Sequence, residues 1–194
     1  GRKVKIFIRK TSDTSCFKGM DIEKVYGDVL DVNSLIQAFK NTENVYHLAG
    51  EISIMPGFNK NLYNTNVNGV KNAIEACLKC GVKKLIYTST IHAFKISSDI
   101  KVVNETLPFD TASTLGLYNR TKAIASVEVL NAVKANGLDA VIVCPTGVIG
   151  PYDYKISSLS SLFIEYYKKN QKIIINGAYD FADSRDVAKG HILA

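Results

Sequence analysis

The sequence predicts an α/β fold built on a parallel, doubly wound sheet, and three observations lead to that prediction. Short apolar segments of strand length alternate with longer amphipathic segments of helix length along the whole chain. Two of the short segments, 45–50 and 140–144, are nearly continuous apolar runs, as in strands covered on both faces. The chain has 194 residues, 46% hydrophobic and 22% charged, which suits one domain with a well-covered core.

The strands are predicted from apolar alternation or from short apolar runs. The predicted strands are 3–9, 22–26, 45–50, 84–88, 140–144 and 173–175. Segment 145–151 contains two prolines and two glycines and is predicted to be a series of turns. Segment 91–114 shows no periodicity, and its length predicts an active-site loop.

The helices are predicted from apolar residues spaced three and four apart. Asp31 can cap a helix that runs to Phe39, and a long helix from Tyr63 through Cys77 is closed by Gly81. Three further helices are predicted at 118–136, near 159–169, and from Asp186 onward. Within the long helix, Asn66 is a poor helix former, which indicates either a buried hydrogen-bonding role or a solvated side chain.

Charge and hydropathy argue against nucleic-acid and membrane partners. The net charge is +6, but the basic residues occur as scattered pairs such as Lys83-Lys84, without interleaved aromatic residues. A phosphate-bearing small molecule would use the same charge. Apolar runs are too short for a membrane span, and the amino terminus lacks an apolar signal region, so a cytoplasmic protein is expected.

The four cysteines predict neither a disulfide framework nor a metal site. Cys77 and Cys80 form a CxxC on a predicted helix, without a second pair or a histidine cluster at zinc spacing. Cys77 continues the apolar stripe of that helix, and Cys144 ends a predicted buried strand. We expect small, reduced core residues and no bound metal.

A candidate catalytic group follows the strand at 84–88. Tyr118 and Lys122 are four residues apart on a predicted helix, so a phenol and an ammonium can share one face. A positive charge nearby would lower the tyrosine pKa and suit it to proton exchange with an alcohol or carbonyl. Thr90 would orient the reacting oxygen from the carboxyl edge of the sheet, where parallel sheets bind ligands.

Seven ordered motifs along the chain resemble those of the extended short-chain dehydrogenase/reductase family, also called the NAD-dependent epimerase/dehydratase family, and within it the dihydroflavonol-4-reductase-like branch. The motifs are Gly27-Asp28-Val29-Leu30-Asp31, His47-Leu48-Ala49-Gly50, Asn66-Val67-Asn68-Gly69-Val70, Tyr87-Thr88-Ser89-Thr90, Tyr118-x-x-x-Lys122, Pro145-Thr146-Gly147-Val148-x-Gly150-Pro151 and Asp183-Ser184-Arg185-Asp186-Val187-Ala188. The resemblance implies an NAD(P)-binding Rossmann fold.

The resemblance also implies a role for each matched position. Tyr118 would be the catalytic acid/base, Lys122 would tune it and hold the nicotinamide ribose, and Thr90 would bind the reacting oxygen. The cofactor-binding residues would be Arg9, Asp28, Val29, Ala49, Gly50, Thr88, Tyr118, Lys122 and Pro145. Related NAD enzymes usually carry an acidic residue at the position of Arg9; a guanidinium suits the 2′-phosphate of NADP, so NADP is expected in preference to NAD.

The family's first strand and its glycine-rich pyrophosphate loop have no counterpart in this sequence. That strand would lie between the strands at 3–9 and 45–50, so two ladders are expected to remain unpaired. We therefore expect residues 1–194 to be a single Rossmann-like domain, truncated at both ends. The substrate-binding part would be only partly present, at about 91–114 and 151–180.

The resemblance favours a reductase of a ketone or aldehyde, acting on a small-molecule carbonyl or alcohol, and leaves a homodimer open. Dehydratases of the family place Asp-Glu after the catalytic threonine, where this chain has Ile91-His92. Epimerases continue into Val-Tyr-Gly, which Ala93-Phe94-Lys95 does not match, so a nucleotide-sugar epimerase is the second hypothesis. A non-catalytic NAD(P)-sensing protein is a third. His92 and Phe94 would line the substrate pocket or serve as ordinary loop residues.

Overall fold

The computed structural model describes residues 3–53, 55, 57–169 and 176–194, in which parallel strands alternate with helices. The strands are β1 (Lys5–Ile8), β2 (Glu23–Tyr26), β3 (Asn44–His47), β4 (Lys84–Thr88), β5 (Ala140–Val143), β6 (Gly147–Ile149) and β7 (Phe181–Asp183). The α-helices are α1 (Val32–Phe39), α2 (Lys60–Tyr63), α3 (Gly69–Cys80), α4 (Leu117–Asn136), α5 (Ser158–Tyr167) and α6 (Ser184–Leu193). The α/β class is confirmed, while the strand predicted at 173–175 lies outside the described residues.

The described strands form three parallel sheets, ordered β1-β2, β3-β4-β5 and β6-β7. In the central sheet Val45 is in register with Leu85, and Leu85 with Ala140. The β1-β2 ladder and the β3-β4-β5 ladder are separate within the described part of the chain. The carboxyl ends of the central strands, at His47, Thr88 and Val143, lie at one common edge.

Helices α1, α3 and α4 pack side by side and cover the buried face of the strands. Asp31 caps α1 by accepting a hydrogen bond from the Asn33 amide, as its sequence position predicts. Gly81 ends α3 in the left-handed conformation, with φ of 63°. The core cluster beneath these helices includes Leu35, Phe39, Val70, Ile74, Leu85 and Val129.

The predicted long helix through Tyr63 and Cys77 is divided by a π-helical turn at Asn64–Asn68, between α2 and α3. A π-helical turn adds a residue to the helix without breaking it, so apolar spacing does not reveal it. Asn66 is 1% exposed within this turn, which confirms a buried role and excludes the solvated one.

Two short strands and one helix start differ from the prediction. The segment 145–151, expected to form only turns, contains β6, which pairs with β7. The sequence did not predict this strand because three residues that pair with a partner more than 30 positions away leave no local pattern. Helix α6 begins two residues before the predicted Asp186. Asp183 accepts a hydrogen bond from the Arg185 amide at 2.8 Å and caps the helix there.

Candidate functional site

The end of β4 and the first turns of α4 bring the three predicted catalytic side chains to one edge of the sheet. After Thr88 the chain enters a 3₁₀ turn, Ile91–Ala93, which Thr90 caps by accepting a hydrogen bond from the His92 amide at 3.3 Å. Tyr118 and Lys122 follow one another on successive turns of α4. The Thr90 hydroxyl interacts with the Tyr118 phenol. The structure therefore places the Thr90 hydroxyl beside the Tyr118 phenol, with Lys122 on the next turn of α4.

Lys122 is buried and is held by β4. Its Nζ atom donates a hydrogen bond to the Thr88 carbonyl oxygen at 2.5 Å and lies 4.6 Å from the centre of the Tyr87 ring. Only 6% of the residue is exposed. Burial lowers the pKa of the Lys122 ammonium to about 8.

The pKa of Tyr118 is shifted in the direction opposite to the expectation. Burial raises it above its usual value; the Thr90 hydroxyl acts in the other direction and Tyr179 adds to the rise. Lys122 is not among the groups that shift it, because the ammonium is directed at Thr88 and the Tyr87 ring. In this structure Tyr118 is therefore a protonated phenol at neutral pH, able to donate a proton.

Two buried serines connect α4 to the strand end, and sequence reasoning did not identify this connection. Ser126 is fully buried and donates to the Lys122 carbonyl oxygen at 2.8 Å. Its oxygen can then accept from Ser89, whose hydroxyl lies 2.8 Å away. Ser126 lies one turn beyond Lys122 in the same i, i+4 series as Tyr118, which was the available signal.

The predicted cofactor-binding residues at the ends of β1, β2 and β3 line one cleft of about 660 Å³. Arg9, Asp28, Val29, Ala49 and Gly50 all face it. This volume is in the usual range for small-molecule sites. One basic side chain, backbone at the strand ends and a glycine fit the adenosine part of a dinucleotide.

The loop that carries Asp28 and Val29 is fixed from both sides. Ser34 donates to the Asp28 carbonyl oxygen at 3.0 Å, and Asn72 donates to the Val29 carbonyl oxygen at 2.9 Å. A Cβ on Gly69 would lie 3.0 Å from the Val29 side chain, so this glycine lets α3 approach the loop.

Asn66 connects the other wall of the cleft to α4. Its side-chain oxygen accepts from the Glu51 amide at 2.8 Å, and its amide donates to the Glu51 carbonyl at 2.9 Å and to Thr121 Oγ1 at 3.1 Å. A Cβ on Gly50 would lie 3.3 Å from the Asn66 oxygen and 3.9 Å from Lys122 Nζ. The cleft and the Lys122 site therefore meet at Gly50.

The predicted substrate residues lie in different surroundings. His92 is half-buried and its Nε2 atom is hydrogen-bonded to Tyr179 Oη at 2.5 Å, while Phe94 is buried in a stack with Phe109, with ring centres 4.9 Å apart. Tyr179 was not identified from the sequence. It lies over Gly147, where a Cβ would come within 2.7 Å of its ring.

Pro145 and Thr88 lie at the same edge as Thr90. The Pro145 carbonyl oxygen accepts from the Ile91 amide at 3.2 Å, which links the end of β5 to the 3₁₀ turn. The Thr88 hydroxyl is hydrogen-bonded to His191 on α6. Of the two predicted substrate residues, Phe94 is the one that lies in the protein interior.

Behind Lys122 lies a buried histidine whose Nε2 atom has no hydrogen-bond partner among the described residues. His47 is 5% exposed, and its ring centre lies 5.9 Å from that of Tyr87. Burial lowers the pKa of His47 to about 4, with a smaller effect from the positive charge of Lys122. The imidazole is therefore neutral at pH 7.

We expect the free energy of unfolding to fall between pH 6.5 and pH 4 because of His47. The unfolded histidine binds a proton near pH 6.5 and the folded one only near pH 4, so acid favours the unfolded state across that window. The full loss amounts to about 3 kcal/mol. Urea denaturation at a series of pH values measures it.

His47→Leu should flatten this pH dependence, whereas Tyr46→Phe, on the same strand but exposed, should preserve it. His92, whose pKa burial also lowers, leaves a residual slope. An unchanged slope in His47→Leu would contradict the assignment.

Metal-ligand clusters, disulfides and helices that could span a membrane are absent from the described residues. No cluster of three or more histidine, cysteine or acidic side chains in the described ranges could hold a metal ion. All four cysteines are free thiols; burial raises the pKa of Cys77 to about 12 and that of Cys144 to about 11. None of the helices in the described part of the chain is both long and apolar enough to cross a membrane.

Comparison with known sequences gives the same family as the sequence motifs. The model of the NAD dependent epimerase/dehydratase family matches residues 1–194. Sterol demethylase protein B of Methylococcus capsulatus is 33% identical, over 100% of this chain and 58% of its own length. A putative dihydroflavonol 4-reductase of Synechocystis is 29% identical, over 100% of this chain and 56% of its own. The chain thus spans just over half the length of these relatives.

Comparison with solved structures gives the same architecture. The crystal structure of gox2253 superposes with a TM-score of 0.92 at 29% identity, covering 100% of this chain and 58% of that one. UDP-glucose 4-epimerase of Thermus thermophilus, in complex with NAD, gives a TM-score of 0.79 at 21% identity, covering 98% and 65%. At that identity the second match shows the fold alone. The matches agree with the resemblance carried by the seven motifs.

Proposed function

Because the chain belongs to the NAD-dependent epimerase/dehydratase family, we propose that it reduces a ketone or aldehyde, with NADPH as the preferred hydride donor and Tyr118 as the proton donor. The observation that carries the proposal is the meeting of Thr90, Tyr118 and Lys122 at the carboxyl edge of the central sheet. This edge adjoins the cleft at Gly50.

Thr90 and Tyr118 would act on the substrate oxygen, and Lys122 would act beside them. The Thr90 hydroxyl hydrogen-bonds the oxygen, and the Tyr118 phenol donates its proton to it as the carbonyl carbon is reduced, leaving a tyrosinate and an alcohol. Burial keeps the phenol protonated at neutral pH, which suits the reductive direction. The Lys122 ammonium, which is directed at the Thr88 carbonyl oxygen and lies where the site meets the cleft at Gly50, would hold the nicotinamide ribose.

The cleft residues would hold the cofactor, which when bound supplies the hydride. Asp28 and Val29 would border the adenine, Ala49 and Gly50 would let the cofactor pass close to the backbone, and Pro145 would border the nicotinamide. The close approach at Gly50 supports this assignment, since a side chain there would meet Asn66.

The substrate class is proposed to be hydrophobic or aromatic. Two relatives are named for sterols and a third for dihydroflavonol, and His92 and Tyr179 offer aromatic surface beside Thr90. These observations favour a reductase over a nucleotide-sugar epimerase.

The test uses the full-length protein. NADPH and NADH are titrated by calorimetry, and reduced-nicotinamide absorbance is then followed with sterol ketones, flavanone-type ketones and aromatic aldehydes. Carbonyl-dependent NADPH oxidation is the expected result. Epimerisation of a UDP-sugar without carbonyl reduction, or cofactor binding without any turnover, would each refute the proposal in favour of an epimerase or a sensing protein.

Arg9→Glu is expected to reverse the cofactor preference. The guanidinium at the end of β1 lines the cleft and would pair with the 2′-phosphate of NADPH, whereas a carboxylate there would repel it and accept from the ribose hydroxyls of NADH. Loss of a charge-assisted pair corresponds to about a tenfold or larger fall in NADPH affinity. Calorimetry on wild type, Arg9→Glu and the matched Lys10→Glu measures it; equal effects of both substitutions would contradict a specific contact.

A further inference from the structure

His191 lies on α6 and is bonded to the end of β4. It is 6% exposed; its Nε2 atom lies 2.8 Å from Thr88 Oγ1, and its Nδ1 atom lies 2.8 Å from the Val187 carbonyl oxygen. A carbonyl oxygen only accepts hydrogen bonds, so Nδ1 carries a proton, and in the neutral imidazole Nε2 accepts from the Thr88 hydroxyl. Both nitrogens are thus bonded and the ring orientation is fixed.

Thr88 is bonded on its other side to Lys122. Its carbonyl oxygen accepts the hydrogen bond from Lys122 Nζ, while its hydroxyl is held by His191. Thr88 is the last residue of β4, where the regular strand ends and the chain turns toward Thr90. A side-chain anchor at this point fixes the peptide plane that carries the acceptor for Lys122.

We propose that His191 is a positioning residue for Lys122, acting through Thr88. The α6 helix ties the strand end in place, and the strand end in turn directs the ammonium toward the site. The kinetic part of this inference rests on the proposed reductase function; the placement of Lys122 does not.

The experiment measures the Lys122 pKa directly and separately from activity. Full-length protein labelled with ¹³C-lysine is titrated by ¹H–¹³C NMR, with the Lys122 signal assigned from its loss in Lys122→Met. The variants are His191→Leu, which removes the acceptor for Thr88, and His191→Gln, whose side-chain oxygen can replace Nε2. Lys84→Met is the matched control, because Lys84 Nζ also ties β4 to α6, through the Ala194 carbonyl oxygen at 3.0 Å, but at the opposite end of the strand.

In His191→Leu we expect the ammonium to loosen from Thr88 and reach water, so that the pKa of Lys122 rises from about 8 toward its ordinary value. The kcat of carbonyl reduction should fall about 10- to 100-fold with little change in KM, as expected for a misplaced catalytic group. His191→Gln should restore both quantities, and Lys84→Met should leave both unchanged.

Three results would overturn the inference: an unchanged Lys122 pKa in His191→Leu, a failure of His191→Gln to restore it, or an equal shift in Lys84→Met, which would indicate general docking of α6. If the pKa responds as expected while no variant or wild-type protein reduces a carbonyl, the proposed function fails and the positioning role stands. If wild type reduces carbonyls and the Lys122 pKa does not respond, the positioning role fails and the proposed function stands.

Discussion

Tyr118→Phe is expected to lower kcat for carbonyl reduction by about 10²- to 10⁴-fold, the usual contribution of a positioned general acid. The phenyl ring fills the same space but has no proton to give, so the substrate oxygen would have to take its proton from water. Thr90 can still hydrogen-bond the oxygen, and the cleft between Arg9 and Gly50 is untouched. Cofactor affinity should therefore change far less than kcat, by no more than the loss of one hydroxyl contact.

The pH dependence distinguishes loss of the proton donor from a general disturbance. In wild type the rate of reduction should fall above roughly pH 8, because Lys122, with a pKa of about 8, loses its charge there and holds the cofactor ribose less firmly. In Tyr118→Phe the small remaining rate should keep this alkaline limb, because Lys122 and its surroundings are unchanged, whereas a general disturbance of the site would move it.

Tyr167→Phe is the matched control, because this substitution removes the same hydroxyl group from a residue that is 87% exposed on α5. Steady-state kinetics between pH 6 and 10 and calorimetric titration with NADPH give both quantities. A Tyr118→Phe protein that keeps more than a tenth of the wild-type kcat would require another proton donor.

The order of strands and helices was predictable because local patterns determine it. Alternation and apolar runs locate β1 to β5, and i, i+4 spacing places Tyr118 and Lys122 on one face of α4. The short strands β6 and β7 were missed, since each has three residues and their pairing depends on chain-distant contacts. Spacing also does not report the π-helical turn at Asn64–Asn68.

The sequence predicted which residues lie at the site better than it predicted their pKa values. Spacing suggests that Lys122 lowers the pKa of Tyr118, but the direction depends on burial and on where the ammonium points, which only the packed structure determines. Tyr179 and His191 come from segments more than 40 residues beyond α4. Nothing in their neighbouring sequence indicates contact with His92 or Thr88.

Asn66→Ala is expected to have the second-largest effect, a loss of about 2–4 kcal/mol in the free energy of unfolding. Truncation removes three hydrogen bonds and leaves the Glu51 amide and carbonyl and the Thr121 hydroxyl without their side-chain partner. Thr121 is fully buried, and water cannot readily replace the lost bond there. Denaturation in urea, with an unchanged m-value, measures the loss.

Cofactor affinity should fall together with stability in Asn66→Ala, because the Gly50–Glu51 segment that Asn66 holds is a wall of the cleft. Asn68→Ala is the matched control: Asn68 lies in the same π-helical turn but is exposed, and its amide donates to the Asn64 side chain at 3.0 Å. If Asn68→Ala were equally destabilising, the cost would come from the turn's helix propensity. If Asn66→Ala were destabilised but bound NADPH normally, Asn66 would support the fold without shaping the cleft.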